Sequence, residues 1–419
     1  MHQRIGVLVI MSAAWGAAGC NDGTRQLALP PSDMPVTVRL DPVASGLALP
    51  VSIVAAPDGS ERLFVVDRIG LVHVRAADGQ IQPHPFLDLR AKIGDTSDGR
   101  GLYDVAFHPQ FGVNGRVFIA YTAPLDPAAS TPVLTTHLAE LRVSLKDSSL
   151  AVPQTERTLL TIDQPRLDTE SGTLAFGPEG DLYFSAAGAN NDGSDTNTLR
   201  GKVLRLDVDH GDPYAIPADN PYAKGGGRPE IFASGLHAPG PLTFDLAGTR
   251  ELFAVDGRKQ VGLLGHTGLS TPTVYELGPR STGVDIVGGT LYRGAAIPEM
   301  RGRFLFSVAA TATESSTSRL CLASRHDGLP WSITEVRVSN STTGLPMQLI
   351  RGFGQDVHGE LYLLATKQGE PAGVNGLVLA VRAVSSAPAA SDDPTSTSDL
   401  GNAPHDAGTA QGGLDASIR

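Results

Sequence analysis

The sequence predicts an all-β protein, a six-bladed β-propeller flanked by two tails that lie outside the fold. Three observations carry this prediction. First, Gly and Pro number 48 and 30 among 419 residues, roughly a fifth against an ordinary share of about 12%. Chain-breakers at that density exclude long helices, coiled coils and helical solenoids. Second, the large apolar residues fall in short runs, β-branched or aromatic, bounded by turn residues, as strands do. Third, one unit of apolar strand, Pro/Gly/Asp turn and apolar strand recurs at intervals of roughly 50 to 70 residues, the spacing of propeller blades with loop insertions.

The copies run in order along the chain. Ala55-Ala56-Pro57-Asp58-Gly59 leads to Leu63-Phe64-Val65-Val66-Asp67, and Val105-Ala106-Phe107-His108-Pro109 leads to Val117-Phe118-Ile119-Ala120. Leu174 to Gly180 leads to Leu182-Tyr183-Phe184-Ser185, and Leu242-Thr243-Phe244-Asp245 leads to Leu252-Phe253-Ala254-Val255-Asp256. Phe304 to Val308 is a weaker fifth copy, and Phe353 to Gly359 leading to Leu361-Tyr362-Leu363-Leu364 is the last. One such sheet cannot bury both of its faces. About six sheets packed around an axis bury them all and leave only short edges. A pair of packed sheets is the alternative, but it does not require so regular a repeat.

Composition sets the broad class. Length alone allows two or three ordinary domains or one large all-β domain. At 41% hydrophobic and 18% charged, the chain can bury a core. A formal net charge of −11 disfavours a phosphate-binding surface, so no nucleic-acid partner is expected. Two cysteines cannot build a disulfide scaffold.

The ends have a different composition. Arg4, the apolar run Ile5 to Trp15 and the small residues Ala17-Ala18-Gly19 before Cys20 form a signal peptide over residues 1–20. This stretch resembles a bacterial lipobox, which implies lipidation of Cys20. The chain is then expected to be an exported lipoprotein held on a membrane by acyl chains, facing the periplasm or on the outer membrane. An ordinary cleaved signal with an incidental cysteine is the alternative. Residues 21–38 read as a polar tether, residues 39–384 as the propeller, and residues 385–419, rich in Ala, Ser, Asp, Pro, Thr and Gly, as a disordered tail.

A family resemblance falls on the same repeats. Gly101 to Phe111, followed by Asn114-Gly115-Arg116-Val117-Phe118, resembles a segment of the soluble quinoprotein glucose dehydrogenases. That family includes aldose sugar and sorbosone dehydrogenases and the propeller of hedgehog-interacting proteins. The resemblance continues through Gly172 to Tyr183, Leu199 to Asp209, Asp212 to Tyr222, Arg228 to Leu236, Leu291 to Phe304 and Phe353 to Asp356. It spans about 40 to 384 and implies a six-bladed β-propeller of the quinoprotein glucose dehydrogenase type.

In active members, the resemblance implies pyrroloquinoline quinone (PQQ) and calcium at the mouth of the propeller. A histidine there removes the sugar hydroxyl proton while hydride passes to the quinone. In this sequence Thr169 stands in the histidine's place and cannot act as a base near neutral pH. Asp168 and Glu170 beside it are candidate bases if burial raises their pKa, and solvated loop carboxylates if not. The Gly-x-Arg-Asn-Pro signature, whose Arg and Asn contact the quinone, reads Gly235-Leu236-His237-Ala238-Pro239. His237 is a candidate relocated base, and a structural histidine in the alternative reading.

The calcium loop corresponds to Asp256-Gly257-Arg258-Lys259-Gln260-Val261, where Arg258 and Lys259 bring positive charge to a place that needs oxygen ligands. The polar cofactor contact before the first motif is replaced by Gly99 or Arg100. Arg351 matches the position of a cofactor-carboxylate arginine and is the candidate cofactor-binding residue.

Asn190 to Asn197 has the composition of a calcium loop without its spacing or its closing Glu, so Asp192 and Asp195 are candidate ligands in what otherwise reads as a polar loop at the mouth. No metalloprotease, serine-hydrolase or nucleotide-binding motif occurs. Cys321 is read as a buried, inert thiol.

Two functions follow. One is a PQQ-dependent sugar or aldehyde oxidoreductase with a degenerate active site. The other is a non-catalytic propeller that binds carbohydrate or protein at the cell envelope.

Overall fold

A computed structural model describes residues 35–384, apart from 97–98, 125–133, 145, 165–171, 189–191, 270–272, 279–280, 282, 311–317, 327, 340–348 and 368–372. These residues form six sheets, antiparallel except for one edge pair. Each is one blade, and the innermost strands are Pro50–Ala55, Gly101–Phe107, Thr173–Phe176, Pro239–Phe244, Val284–Leu291 and Leu349–Gln355. Each innermost strand packs against those of its two neighbours, closing a ring, so the six-bladed propeller expected from the repeat is the fold.

The second strands explain why the repeat reads as continuous apolar runs. Leu63–Asp67, Leu182–Ala186, Leu252–Asp256 and Leu361–Thr366 are buried at every position. A strand packed on both faces has no polar side to alternate with. The core is divided accordingly into six apolar clusters, one in each seam between neighbouring blades. The seam between blades 1 and 2 is rich in aromatic rings. There Phe107 lies 4.5 Å from Phe64 and 4.7 Å from Phe111, distances that favour edge-on and tilted ring pairs.

The ring closes through the amino-terminal strand Thr37–Leu47, which pairs antiparallel with Gly376–Ala383 of blade 6, Val38 opposite Ala383 and Leu47 opposite Gly376. Composition places Thr37 and Val38 in the tether. They belong instead to this closing strand, where Val38 is fully buried. The closure joins the two ends of the fold and covers the open edge of blade 6. The strand Arg337–Val338 adds to it in parallel.

Polar latches reinforce the seams at the end of the ring remote from the entries to the innermost strands. Arg116 holds Glu140 at 3.0 Å and Asp209 at 2.5 Å, and His108 reaches the same Asp209 at 2.9 Å. Arg293 pairs with Asp245, and the Tyr292 hydroxyl donates to Glu360 at 2.8 Å. Cys321 sits in the strand Ser318–Ser324 and is only half-buried, at the edge of the seam between blades 4 and 5. The inert buried thiol expected from the sequence is therefore corrected to a partly exposed one, because this third strand lies toward the outer side of its blade.

Candidate functional site

Antiparallel alternation puts the loops entering the innermost strands at the same end of the ring as the turns from second to third strands. That end is the mouth. Five of the six innermost strands carry a register shift close to their mouth end, at Pro50/Ser52, Leu102/Asp104, Pro239/Leu242, Ile286/Gly288 and Ile350/Gly352. A bulge bends the strand and re-aims the extra residue. Here the extra residues include Val51, Tyr103, Val287 and Arg351, so the mouth is shaped by bulges repeated around the axis.

The loops entering the strands are clamped by the ends of the second strands. Asp67 accepts the amides of Ala48 and Leu49 at 2.7 and 2.9 Å. Asp256, at the same place in blade 4, accepts the amides of His237 and Ala238 at 2.8 and 2.9 Å. Blade 3 uses Ser185, whose hydroxyl accepts the amide of Thr173 at 3.1 Å. Sequence reading assigned no role to Asp67 or Ser185 and placed Asp256 only in the loop that corresponds to the calcium site. The signal was present in the repeated Leu-Phe-x-Val-Asp that ends at both 67 and 256.

One carboxyl lies deeper. Asp104 is fully buried on the innermost strand of blade 2 and bonds the amide of Leu174 in blade 3 at 2.7 Å and the amide of Val105 at 2.9 Å. Ser52 of blade 1 also donates to it. Burial pushes its pKa up to about 6, against which these hydrogen bonds pull it down. A single side chain thus ties three blades together at the axis.

The candidate residues are distributed as follows. Cys20, Asp168, Thr169 and Glu170 lie outside the described residues. Asp192 opens the 3-10 turn Asp192–Ser194, with its side chain outside the described residues. Asp195 is exposed and accepts both the backbone and the side-chain N–H of Asn197, at 3.0 and 3.1 Å. The glycine between them serves packing: a Cβ on Gly193 would fall 1.6 Å from the carbonyl oxygen of Leu236, and the Gly193 carbonyl accepts the amide of Gly235 at 2.7 Å. This loop therefore seats the Gly235–Pro239 turn. Arg351 is exposed at the bulge of blade 6. Arg68 lies under Gly101, over the ring of Tyr103, and its Nε donates to the Arg100 carbonyl at 3.3 Å. The Tyr103 hydroxyl donates to the Gly99 carbonyl at 2.5 Å.

His237 is the candidate whose chemistry the structure defines furthest. Its side chain is 85% exposed and its Nδ1 lies 3.1 Å from Asp256 Oδ2. A carboxylate only accepts, so Nδ1 carries a proton, which in the neutral ring leaves Nε2 as the acceptor. That is the arrangement of an oriented base, set at an open rim.

Among the described residues, the donor set does not match PQQ with calcium. At the Arg–Asn signature, Ala238 offers no side-chain donor and the His237 ring is turned onto Asp256. In the loop aligned with the calcium site, several oxygens already accept hydrogen bonds. The Asp256 carboxylate takes two amides and a ring N–H. The carbonyls of Asp256, Arg258 and Lys259 accept the amides of Lys259, Ile286 and Leu277. Among the described residues, no group of three or more His, Cys, Asp or Glu side chains is placed to hold a metal ion.

Comparison with known proteins agrees with the fold. The profile of the family "Glucose / Sorbosone dehydrogenase" matches residues 47–258. The Hedgehog-interacting protein of Mus musculus is 30% identical over 365 residues, covering 80% of this chain and 51% of that protein. The chain thus spans about half the length of this curated relative. A solved glucose dehydrogenase superposes with a TM-score of 0.63 at 21% identity, covering 82% of this chain and 99% of the other. The PQQ-bound aldose sugar dehydrogenase of Streptomyces coelicolor superposes with a TM-score of 0.60 at 17% identity, covering 85% and 99%.

Proposed function

The chain belongs to the glucose/sorbosone dehydrogenase family, and on that premise we propose that it is a ligand-binding propeller at the cell envelope. Its mouth takes a protein segment or a carbohydrate rather than running PQQ chemistry. The observation that carries this reading is the Gly235–Pro239 turn. The quinone-contacting pair is replaced by His237 and Ala238, and Asp256 locks their amides and the histidine ring to the blade. The likeness to a relative named for a protein partner, at 30% identity over most of this chain, favours a protein ligand over a sugar. Fold alone does not choose, because sites carry function.

The second reading, a PQQ-dependent sugar or aldehyde oxidoreductase, draws on one specific feature, the outward Nε2 of the Asp256-oriented His237. Purified soluble protein supplied with PQQ and calcium is assayed for dye reduction over a panel of aldoses and aldehydes. The binding reading predicts no turnover. Turnover that His237→Ala abolishes would establish the oxidoreductase instead.

Attachment to a membrane through a lipidated Cys20 is part of the same proposal. No helix among the described residues is long and apolar enough to cross a membrane. Cys20→Ser is expected to move the protein from the membrane to the soluble fraction, and an unchanged distribution contradicts the anchor.

A further inference from the structure

We propose that Lys259 is a built-in cation that holds the mouth together between blades 4 and 5 in the place of a bound metal ion. Its ammonium lies among three oxygens from the loop entering blade 5 and the start of its innermost strand. The Ser281 carbonyl is at 3.4 Å, the Asp285 carboxylate at 3.2 Å, and the Val284 carbonyl makes the closest contact. Three N–H donors thus meet three acceptors, which is the full capacity of an ammonium group. The other carboxylate oxygen of Asp285 faces Arg258 at 3.6 Å.

The backbone on either side fixes this geometry. The Leu277 amide donates to the Lys259 carbonyl at 2.8 Å, and the Ile286 amide to the Arg258 carbonyl at 2.7 Å. The turn of blade 4 and the loop into blade 5 are therefore held in register independently of the side chain. Removing the ammonium leaves two carbonyls and a carboxylate converging on one point, an all-oxygen set of the kind hard cations take. The inference stands on this cage and does not depend on which function the mouth performs, since binding and turnover both need the two loops in place.

The test is thermal unfolding of the wild type, Lys259→Ala and Lys259→Gln, each in EDTA, in about 10 mM CaCl2 and in about 10 mM MgCl2, a concentration that reaches weak calcium sites. Gln keeps the length and one donor without the charge, so it serves if the alanine variant folds poorly. The expected result is a wild-type midpoint that is the same in EDTA and calcium. In EDTA both variants melt lower, by a few degrees, and in the alanine variant calcium, but not magnesium, recovers most of the loss. Adding Asp285→Asn to Lys259→Ala removes that recovery. A wild type that calcium stabilises overturns the proposal. So do variants that unfold at the same temperature with and without calcium.

Discussion

Asp256 holds His237 twice, through the backbone amide at 2.8 Å and through the ring Nδ1 at 3.1 Å. The two bonds have different weight. The carboxylate is 6% exposed and also carries the Ala238 amide, whereas the imidazole is almost wholly in solvent. Asp256 is thus first a clamp for the loop into blade 4 and second an orienting partner for the ring.

That ranking predicts unequal mutational costs. Asp256→Ala strips two amides of their acceptor and is expected to destabilise the protein by about 1–3 kcal/mol. His237→Ala, at an exposed position, is expected to change stability by less than about 0.5 kcal/mol. Urea unfolding of the two variants measures the difference. Equal costs would show that the ring, rather than the loop, is what Asp256 serves. Asp67→Ala, which removes the matching clamp of blade 1, is expected to behave like Asp256→Ala.

The close approach at Gly193 gives a second prediction. A methyl group there meets the Leu236 carbonyl oxygen at 1.6 Å, so one of the two loops must move. Gly193→Ala is expected to cost about 1–3 kcal/mol, read as a lowered unfolding midpoint. Unaltered stability would mean that the loop from 192 to 195 does not seat the Gly235–Pro239 turn.

Asp104 predicts a pH dependence. Burial raises its folded-state pKa from 3.8 to about 6, so the folded protein holds a proton that the unfolded chain has released across that window. Stability contributed at this site therefore falls as pH rises from about 4 to about 6 and is level above it. Asp104→Asn keeps an oxygen for the Leu174 amide and removes the titration. Its stability relative to the wild type is expected to rise by on the order of 2 kcal/mol between pH 4 and 7. Parallel pH profiles for the two proteins would contradict this.

These residues also show where sequence reading succeeds. The blades were legible because second strands such as Leu182–Ala186, buried on both faces, must be apolar without interruption. The closing strand was legible only from residue 39 on, as part of the propeller's span and not as a strand. Thr37–Leu47 contains Arg39, Asp41 and Pro42 with only two positions fully buried, so nothing local marks it as part of a blade, and its partner lies more than 300 residues away. The substitutions at Thr169, His237 and Ala238 were visible as departures from a family pattern. The contacts that replace that pattern were not. Asp256 and His237 lie 19 residues apart and meet through the pairing of the first two strands of blade 4, and Lys259 and Asp285 lie 26 apart and meet only where blade 5 packs on blade 4. The bulges at Tyr103 and Arg351 left no mark in the sequence, because a bulge is a relation between two strands.

On the proposed function, this mouth is built for a ligand other than PQQ. Titration of the purified protein with PQQ in the presence of calcium, followed by fluorescence quenching or calorimetry, tests it most directly. The account predicts no saturable uptake and no change on Ala238→Gly. Saturable, calcium-dependent binding of one PQQ per chain would contradict it and return the mouth to the oxidoreductases of its family.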